Sequence, residues 1–313
     1  MDPSATKPLR VGVVGLGDIA RKAYLPVLSR LPGVELTLMA RSADTLATVA
    51  RAYGGHRGTT RFEDLLDGSV DAALVHASTE AHAELVAALL TAGVPVLVDK
   101  PLAPDLASST RLVELAEQRG VSLVVGFNRR FAAAHVELAR HEASMVLVQK
   151  HRTGLPEEPR RFVLDDFVHV VDTLRFLLPP GPEEVSVWCT AQDGLLATVT
   201  LALRVGSATG LGVMHRVGGV TEEVVQVLGD GVSQRVIDLA EVWRGDGAGG
   251  LRLQRRDSWT DVPTVRGFTA MVEAFLTAVR AGEVLSARDA LRTHEICEQV
   301  VVAAEAEVSR ARG

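Results

Sequence analysis

Three polar residues in the second half of the chain stand at spacings that suit proton transfer: Asp165, His169 and Asp172, within the string DDFVHVVD. Intervals of four and three residues bring them within about 60° of one another on a helix that turns about 100° per residue. Phe167, Val171, Leu174 and Leu178 fall on the opposite stripe, so one face can be buried while the other presents an acid, a histidine and a second acid. A neutral histidine exchanges protons near neutral pH, and an acid one turn away can orient its ring and stabilise its charged form. The competing reading of such a stripe is a solvated helix face. In the first half, Lys100 follows the apolar run Val94–Val98, at the carboxyl end of a predicted parallel strand, where ligands bind in such sheets. Its ammonium can hydrogen-bond a reacting oxygen or polarise a carbonyl, and the bond to Pro101 is open to a cis form. The competing reading of Lys100 is a surface charge.

The elements that must position these groups follow from the apolar pattern. Valine-rich runs at Leu9–Val14, Val34–Met39, Val70–Val75, Val94–Val98 and Val121–Phe127, with a weaker one near Thr59, alternate with amphipathic stretches at Ile19–Arg30, Ala43–Tyr53, Ala81–Ala92 and Leu106–Arg119. This alternation predicts an α/β Rossmann domain over residues 1–127. Beyond it, a helix is predicted at Asp165–Leu178, strands at Glu184–Thr190, Leu195–Leu203 and Glu222–Leu228, a loop or hairpin tip at Gly245–Gly250, and helices at Phe268–Arg280 and Ala287–Arg310. Residues 128–313 therefore read as an α+β domain with a mostly antiparallel open sheet, a substrate-binding and oligomerisation domain. The cleft between the two is the default site.

The turn after the first strand reads GLGDIA, a GxGxxA fingerprint opening a helix. Gly15 permits the tight turn, Gly17 admits the pyrophosphate, and Asp18, Ile19 and the small Ala20 begin the helix whose N-terminus faces the anion. The second strand ends Met39-Ala40-Arg41-Ser42, without the carboxylate that reads an adenosine ribose in NAD-preferring domains. A guanidinium and a hydroxyl suit a 2'-phosphate, so NADP(H) is the expected cofactor. NAD(H) stays open, because Arg41 could instead stack on the adenine of either. The stretch His76–His82 ends another parallel strand; Ser78, Thr79 and His82 are candidates for the nicotinamide side, with a structural role as the alternative for His76 and His82, and Lys100 is a candidate for cofactor contact as well. Asn128, Arg129 and Arg130 stand at the domain boundary, where Asn128 and Arg130 are candidates for substrate contact and salt bridges are the alternative.

Three further strings, DKP at Asp99–Pro101, GFNRRF at Gly126–Phe131 and DDFVHVVD at Asp165–Asp172, taken with the fingerprint, resemble the Gfo/Idh/MocA family of glucose-fructose oxidoreductase and inositol dehydrogenase. The wording VDKPL, GFNRRFA and KHR is similar to its MviM-like branch, and the resemblance spans essentially the whole chain. It implies a catalytic group of Lys100, Asp165 and His169, with Asp172 at the position that holds substrate hydroxyls in polyol-oxidising relatives. Two departures stand out: Asp99 replaces the usual Glu beside the lysine, and Phe167 replaces a frequent Gly.

The implied activity is hydride transfer to or from a hydroxyl or carbonyl carbon of a sugar, polyol or related small molecule. Alternatives are a dinucleotide-binding regulator of the galactose-repressor type, without turnover, and a reductase of non-sugar carbonyls or imines. The formal charge of -6 and the lack of a basic run argue against nucleic acid. Cys189 and Cys297, with no Cys/His cluster, indicate neither a disulfide framework nor a metal site. The polar start Met1–Arg10 and the absence of about 18 consecutive apolar residues suggest a cytoplasmic protein away from membranes. A homodimer or higher homo-oligomer through the second-domain sheet is expected from the family resemblance.

Overall fold

The computed structural model describes residues 7–229, 231–245, 247, 250–255 and 257–312. Met1–Thr6 and three positions of the predicted Gly245–Gly250 tip, 246, 248 and 249, lie outside the described residues. The chain divides into two compact units, and the division is not one cut: Val262–Thr264 and Phe268–Leu291 belong with Met1–Gly126, and the rest forms the second unit.

In the first unit, β1 (Leu9–Val14), β2 (Val34–Met39), β3 (Arg57–Thr59), β4 (Ala72–Val75), β5 (Val96–Val98) and β6 (Leu123–Val125) form one parallel sheet in the order β3-β2-β1-β4-β5-β6. That order reverses beside β1, the topological switch at which such sheets bind dinucleotides. Val11, Val13, Leu74, Val96 and Val98 are wholly buried, as parallel strands covered on both faces require. Between the strands run α1 (Leu25–Leu28), α2 (Ala43–Ala52), α3 (Thr79–Thr91) and α4 (Leu106–Arg119). The runs beginning at Val70, Val94 and Val121 are shorter as strands than their apolar lengths, because their ends form the connections rather than the ladder. The late segment joins this unit through the helix Phe268–Ala281, whose Phe268 meets the Tyr24 ring edge-on at 5.1 Å, and through backbone bonding of Leu123 to Leu285.

The second unit carries an eight-stranded sheet in the order β14-β13-β12-β11-β7-β10-β9-β8. Its strands are β7 (Met145–His151), β8 (Glu184–Gln192), β9 (Leu195–Val205), β10 (Ala208–His215), β11 (Glu222–Gly229), β12 (Val232–Ile237), β13 (Glu241–Gly245) and β14 (Leu251–Arg255). All pairings are antiparallel except β7 with β10. After α5 (Ala133–Leu138), the chain makes one helical run of α6 (Pro159–Phe162), a π-turn (Val163–Phe167) and α7 (Val168–Leu177), which packs on β7 and β10. This run begins before Asp165, where Pro159 occupies the first turn that proline tolerates. Among the described residues no helix is long and apolar enough to cross a membrane.

Candidate functional site

In the first unit the chemistry is built on the turn after β1. Gly15 has φ +88°, and a Cβ there would lie 2.6 Å from the Ala77 amide nitrogen, so the turn accepts only glycine. A Cβ on Gly17 would meet nothing within 4 Å, so packing does not require that glycine, and the open space suits a ligand approaching the backbone. Around the turn lies a pocket of about 910 Å³, lined by Gly15–Gly17, Arg21, Met39–Ser42, Thr45, Thr60–Glu63, Ala77 and Ser78, with Ala81, Glu84 and Leu85. A cradle of open backbone with three guanidiniums, Arg21, Arg41 and Arg61, fits a polyanionic dinucleotide.

The candidate cofactor residues separate around this pocket. Gly15, Gly17, Arg41, Ser42 and Ser78 line it, whereas Asp18, Ile19, Thr79, His82 and Lys100 are not among the lining residues. Asp18 pairs on the surface with Lys22 at 2.8 Å. The Ser42 hydroxyl caps α2 by accepting from the Thr45 amide at 3.3 Å. Thr60, Arg61 and Glu63 come from the end of β3, which lies beside β2: the Ala40 amide donates to the Thr59 carbonyl at 3.3 Å. Their signal was the weak apolar run near Thr59, whose pairing partner the sequence does not reveal.

Lys100 is half-buried on a turn after β5, with a cis bond to Pro101. Behind it, the Tyr24 hydroxyl donates to Asp99 Oδ1 at 3.1 Å. Burial raises the Asp99 pKa from its ordinary value and, more strongly, that of Tyr24. The Tyr24 ring stacks on His76 at 3.9 Å, and burial pushes the His76 pKa down to about 3. A Cβ on Gly126 would lie 2.8 Å from the Tyr24 hydroxyl, so the glycine of GFNRRF makes room for the Tyr24–Asp99 pair. His82 is buried with Nδ1 2.9 Å from the Pro101 carbonyl and Nε2 3.1 Å from the Ala77 carbonyl, so it ties the Lys100 turn to the pocket wall.

In the second unit, the helix-face geometry changes at the π-turn. Asp165 lies within it, so the uniform step of about 100° per residue does not carry from Asp165 to His169. The Asp165 side chain is half-exposed, 3.8 Å from Arg161, and His169 is half-buried at the start of α7. Its neighbour Asp166 is the buried acid of the pair. Arg152 clasps Asp166 at 2.9 and 3.2 Å, with Arg216 at 3.2 Å and Lys150 at 3.3 Å. Burial alone would raise the Asp166 carboxyl, but Lys150, Arg152 and Arg216 hold it down at about 2. Lys150 also bonds Glu223 at 2.9 Å, and Arg129 bonds both Glu223 oxygens at 2.6 Å. Burial opposes the Glu223 charge as well, yet Arg129 and Lys150 keep its pKa well below the ordinary value.

Asp172 is 1% exposed, which differs from the expected presentation on an open stripe. Arg130 Nε lies 3.0 Å from both its oxygens, Arg130 Nη2 lies 2.6 Å from Oδ1, and the Thr293 hydroxyl donates to it at 3.2 Å. Burial raises the Asp172 pKa against the opposing charge of Arg130. The structure thus unites Asp172 and Arg130, two candidates 42 residues apart. Asn128 is buried and donates to the Arg266 carbonyl at 2.8 Å. Phe167, Val171 and Leu174 are wholly buried, as the apolar stripe predicts.

Comparison with known proteins places both halves. A model described as an oxidoreductase family with an NAD-binding Rossmann fold matches residues 9–127, and a YceM-like C-terminal domain matches residues 134–245. The chain is 36% identical over 283 residues to YceM of Salmonella typhimurium, a protein named as an oxidoreductase, covering 88% of this chain and 90% of that one. It is 33% identical to the myo-inositol dehydrogenase Hyg17 of Streptomyces leeuwenhoekii, over 75% of each chain. The crystal structure of the dehydrogenase MviM from Clostridium difficile superposes with a TM-score of 0.89 at 27% identity, covering 94% of this chain and 99% of that one. The chain therefore belongs to the Gfo/Idh/MocA family and is an oxidoreductase built on an NAD-binding Rossmann fold.

Proposed function

We propose that the chain is an NADP(H)-dependent dehydrogenase or reductase acting on a hydroxyl or carbonyl carbon of a sugar, polyol or related small molecule. The observation that carries the cofactor preference is the pocket wall at the end of β2: Arg41 and Ser42 line it and no carboxylate stands at that strand end. Arg61 adds a second cation from the neighbouring strand end. The substrate class is supported by similarity to a relative named as a myo-inositol dehydrogenase. The nicotinamide, when bound, accepts or supplies the hydride.

The chain's own residues then have these roles. The backbone at Gly15–Gly17 holds the pyrophosphate, and Arg41 with Ser42 holds the 2'-phosphate. Ser78, on the pocket wall, would contact the nicotinamide ribose, and His82 fixes the turn that carries Lys100. The Lys100 ammonium hydrogen-bonds the reacting oxygen, His169 takes or returns its proton at the imidazole, and Asp165 orients that ring. Arg130, whose side chain is 24% exposed, is the more accessible member of its pair with Asp172 and meets a neighbouring substrate hydroxyl. The second unit supplies the substrate side. It also supplies an open sheet face for pairing two copies, on which Trp188 of β8 is 59% exposed. A cytoplasmic small-molecule enzyme is the corresponding cellular role.

The test is a turnover screen of sugars, polyols and their keto forms with NADPH or NADP⁺ and with the NAD(H) pair, run on the wild type and on His169→Ala and Lys100→Ala. The expected result is NADP(H)-dependent turnover lost in both variants. Activity surviving both substitutions overturns the catalytic assignment, and tighter binding of NADH than of NADPH overturns the cofactor assignment.

A further inference from the structure

Buried charge in the second unit is unbalanced. Among the described residues, the buried Arg129, Lys150 and Arg216 and the half-buried Arg152 form one network with two buried carboxylates, Glu223 and Asp166. The further acids nearby do not close the difference: Asp238 is an exposed acid that accepts the Glu223 amide, and Asp172 is held by Arg130. Desolvated cations in excess of their counter-charges are costly unless an anion joins them. A second observation points to Arg216. Arg216 is 8% exposed, its guanidinium lies 4.6 Å over the Phe162 ring, and its buried Nε has no hydrogen-bond partner. Arg152, beside it on Asp166, has a side chain 33% exposed, so the network reaches solvent there. Asp166 is three residues before His169 on the same helical run, which brings this cationic edge to the element that carries the proposed proton-transfer group.

We infer that Arg152 and Arg216 form a subsite for an anionic substituent, carboxylate or phosphate, on the substrate. Acidic sugars or polyols, such as aldonates or sugar phosphates, are then the substrate class. This rests on the reading of the chain as a dinucleotide-dependent oxidoreductase. Three compounds with one carbon skeleton test it: D-glucitol, D-gluconate and D-glucitol 6-phosphate. Each is titrated by calorimetry at constant ionic strength into the full chain saturated with NADPH, which occupies the phosphate-binding turn of the first unit. The expected result is that one of the two anions binds more tightly than D-glucitol, with the gluconate and phosphate arms telling carboxylate from phosphate. Arg152→Gln, a partly exposed position, should weaken the anion by about tenfold to a hundredfold and leave D-glucitol unchanged. Arg216→Gln should do the same, and Arg152→Gln stands alone if Arg216→Gln does not fold. Equal affinity for all three compounds overturns the inference. So does anion binding indifferent to Arg152→Gln, or no anion binding by a chain that takes up its cofactor. A chain that takes up no dinucleotide overturns the underlying reading and this inference with it.

Discussion

Tyr24 and Asp99, 75 residues apart, share a hydrogen bond of 3.1 Å directly behind the turn that carries Lys100. The pair accounts for the short acid of the DKP string: an Asp in this place meets the Tyr24 hydroxyl, and Gly126 leaves the room for it. Tyr24→Phe should leave Asp99 without this partner and cost about 1–3 kcal/mol in a denaturant titration. Gly126→Ala, whose Cβ would lie 2.8 Å from the Tyr24 hydroxyl, should also destabilise. Its cost should shrink in a Tyr24→Phe background, a coupling that a double-mutant cycle measures.

Gly15 and Gly17 should respond differently to alanine, although both belong to one motif. At Gly15 a Cβ runs into the Ala77 backbone, so Gly15→Ala should lower the melting temperature of the free protein. At Gly17 a Cβ meets nothing within 4 Å, so Gly17→Ala should melt close to the wild type. Its dinucleotide affinity should nevertheless fall about tenfold or more, because the methyl takes the space of the pyrophosphate. Thermal melts with and without cofactor separate the two effects.

Arg41 and Arg61 reach the same pocket from neighbouring strand ends. Arg41→Ser should weaken NADPH by about tenfold to a hundredfold and leave NADH nearly unchanged. Arg61→Ser should shift the ratio in the same direction by less, since Arg61 is highly exposed and already lies 3.6 Å from Asp64. Fluorescence titration with the two reduced cofactors gives both ratios.

The Asp166 and Glu223 carboxyls set a dependence on acid. Both have folded-state pKa values below their unfolded ones, with Asp166 at about 2. A depressed acid contributes stability that is present above its unfolded value of about 4 and is lost as pH falls through the folded value. For Asp166 the contribution is about 2–3 kcal/mol. Unfolding free energy should therefore decline as pH drops from about 5 toward 2. Glu223→Gln, which breaks a buried pair on Arg129, should cost about 3–5 kcal/mol at neutral pH. Asp165→Asn, at a half-exposed position, should change stability by less than about 0.5 kcal/mol.

The dinucleotide-binding half was legible because its signals are local. A valine run, a turn of two glycines and an amphipathic stretch lie within the length of one βαβ unit, and β1 and β2 span the predicted residues Leu9–Val14 and Val34–Met39. In the second half, Ala208–His215 contains two glycines and Leu251–Arg255 two arginines, so neither carries the apolar, β-branched signal that identified its neighbours. Pairing with other strands makes them part of the sheet.

By itself, the amino-acid sequence determined the parallel fold of the first unit, the turn that receives a dinucleotide and the residue types that could move a proton. Tertiary structure decided which of those groups are committed. Asp166 rather than Asp165 enters the buried charge network, Asp172 binds Arg130, and Tyr24 meets Asp99. The reason is desolvation: the partner of an ionised side chain depends on which distant residues remove water from it, and that arrangement exists only after the sheets have formed.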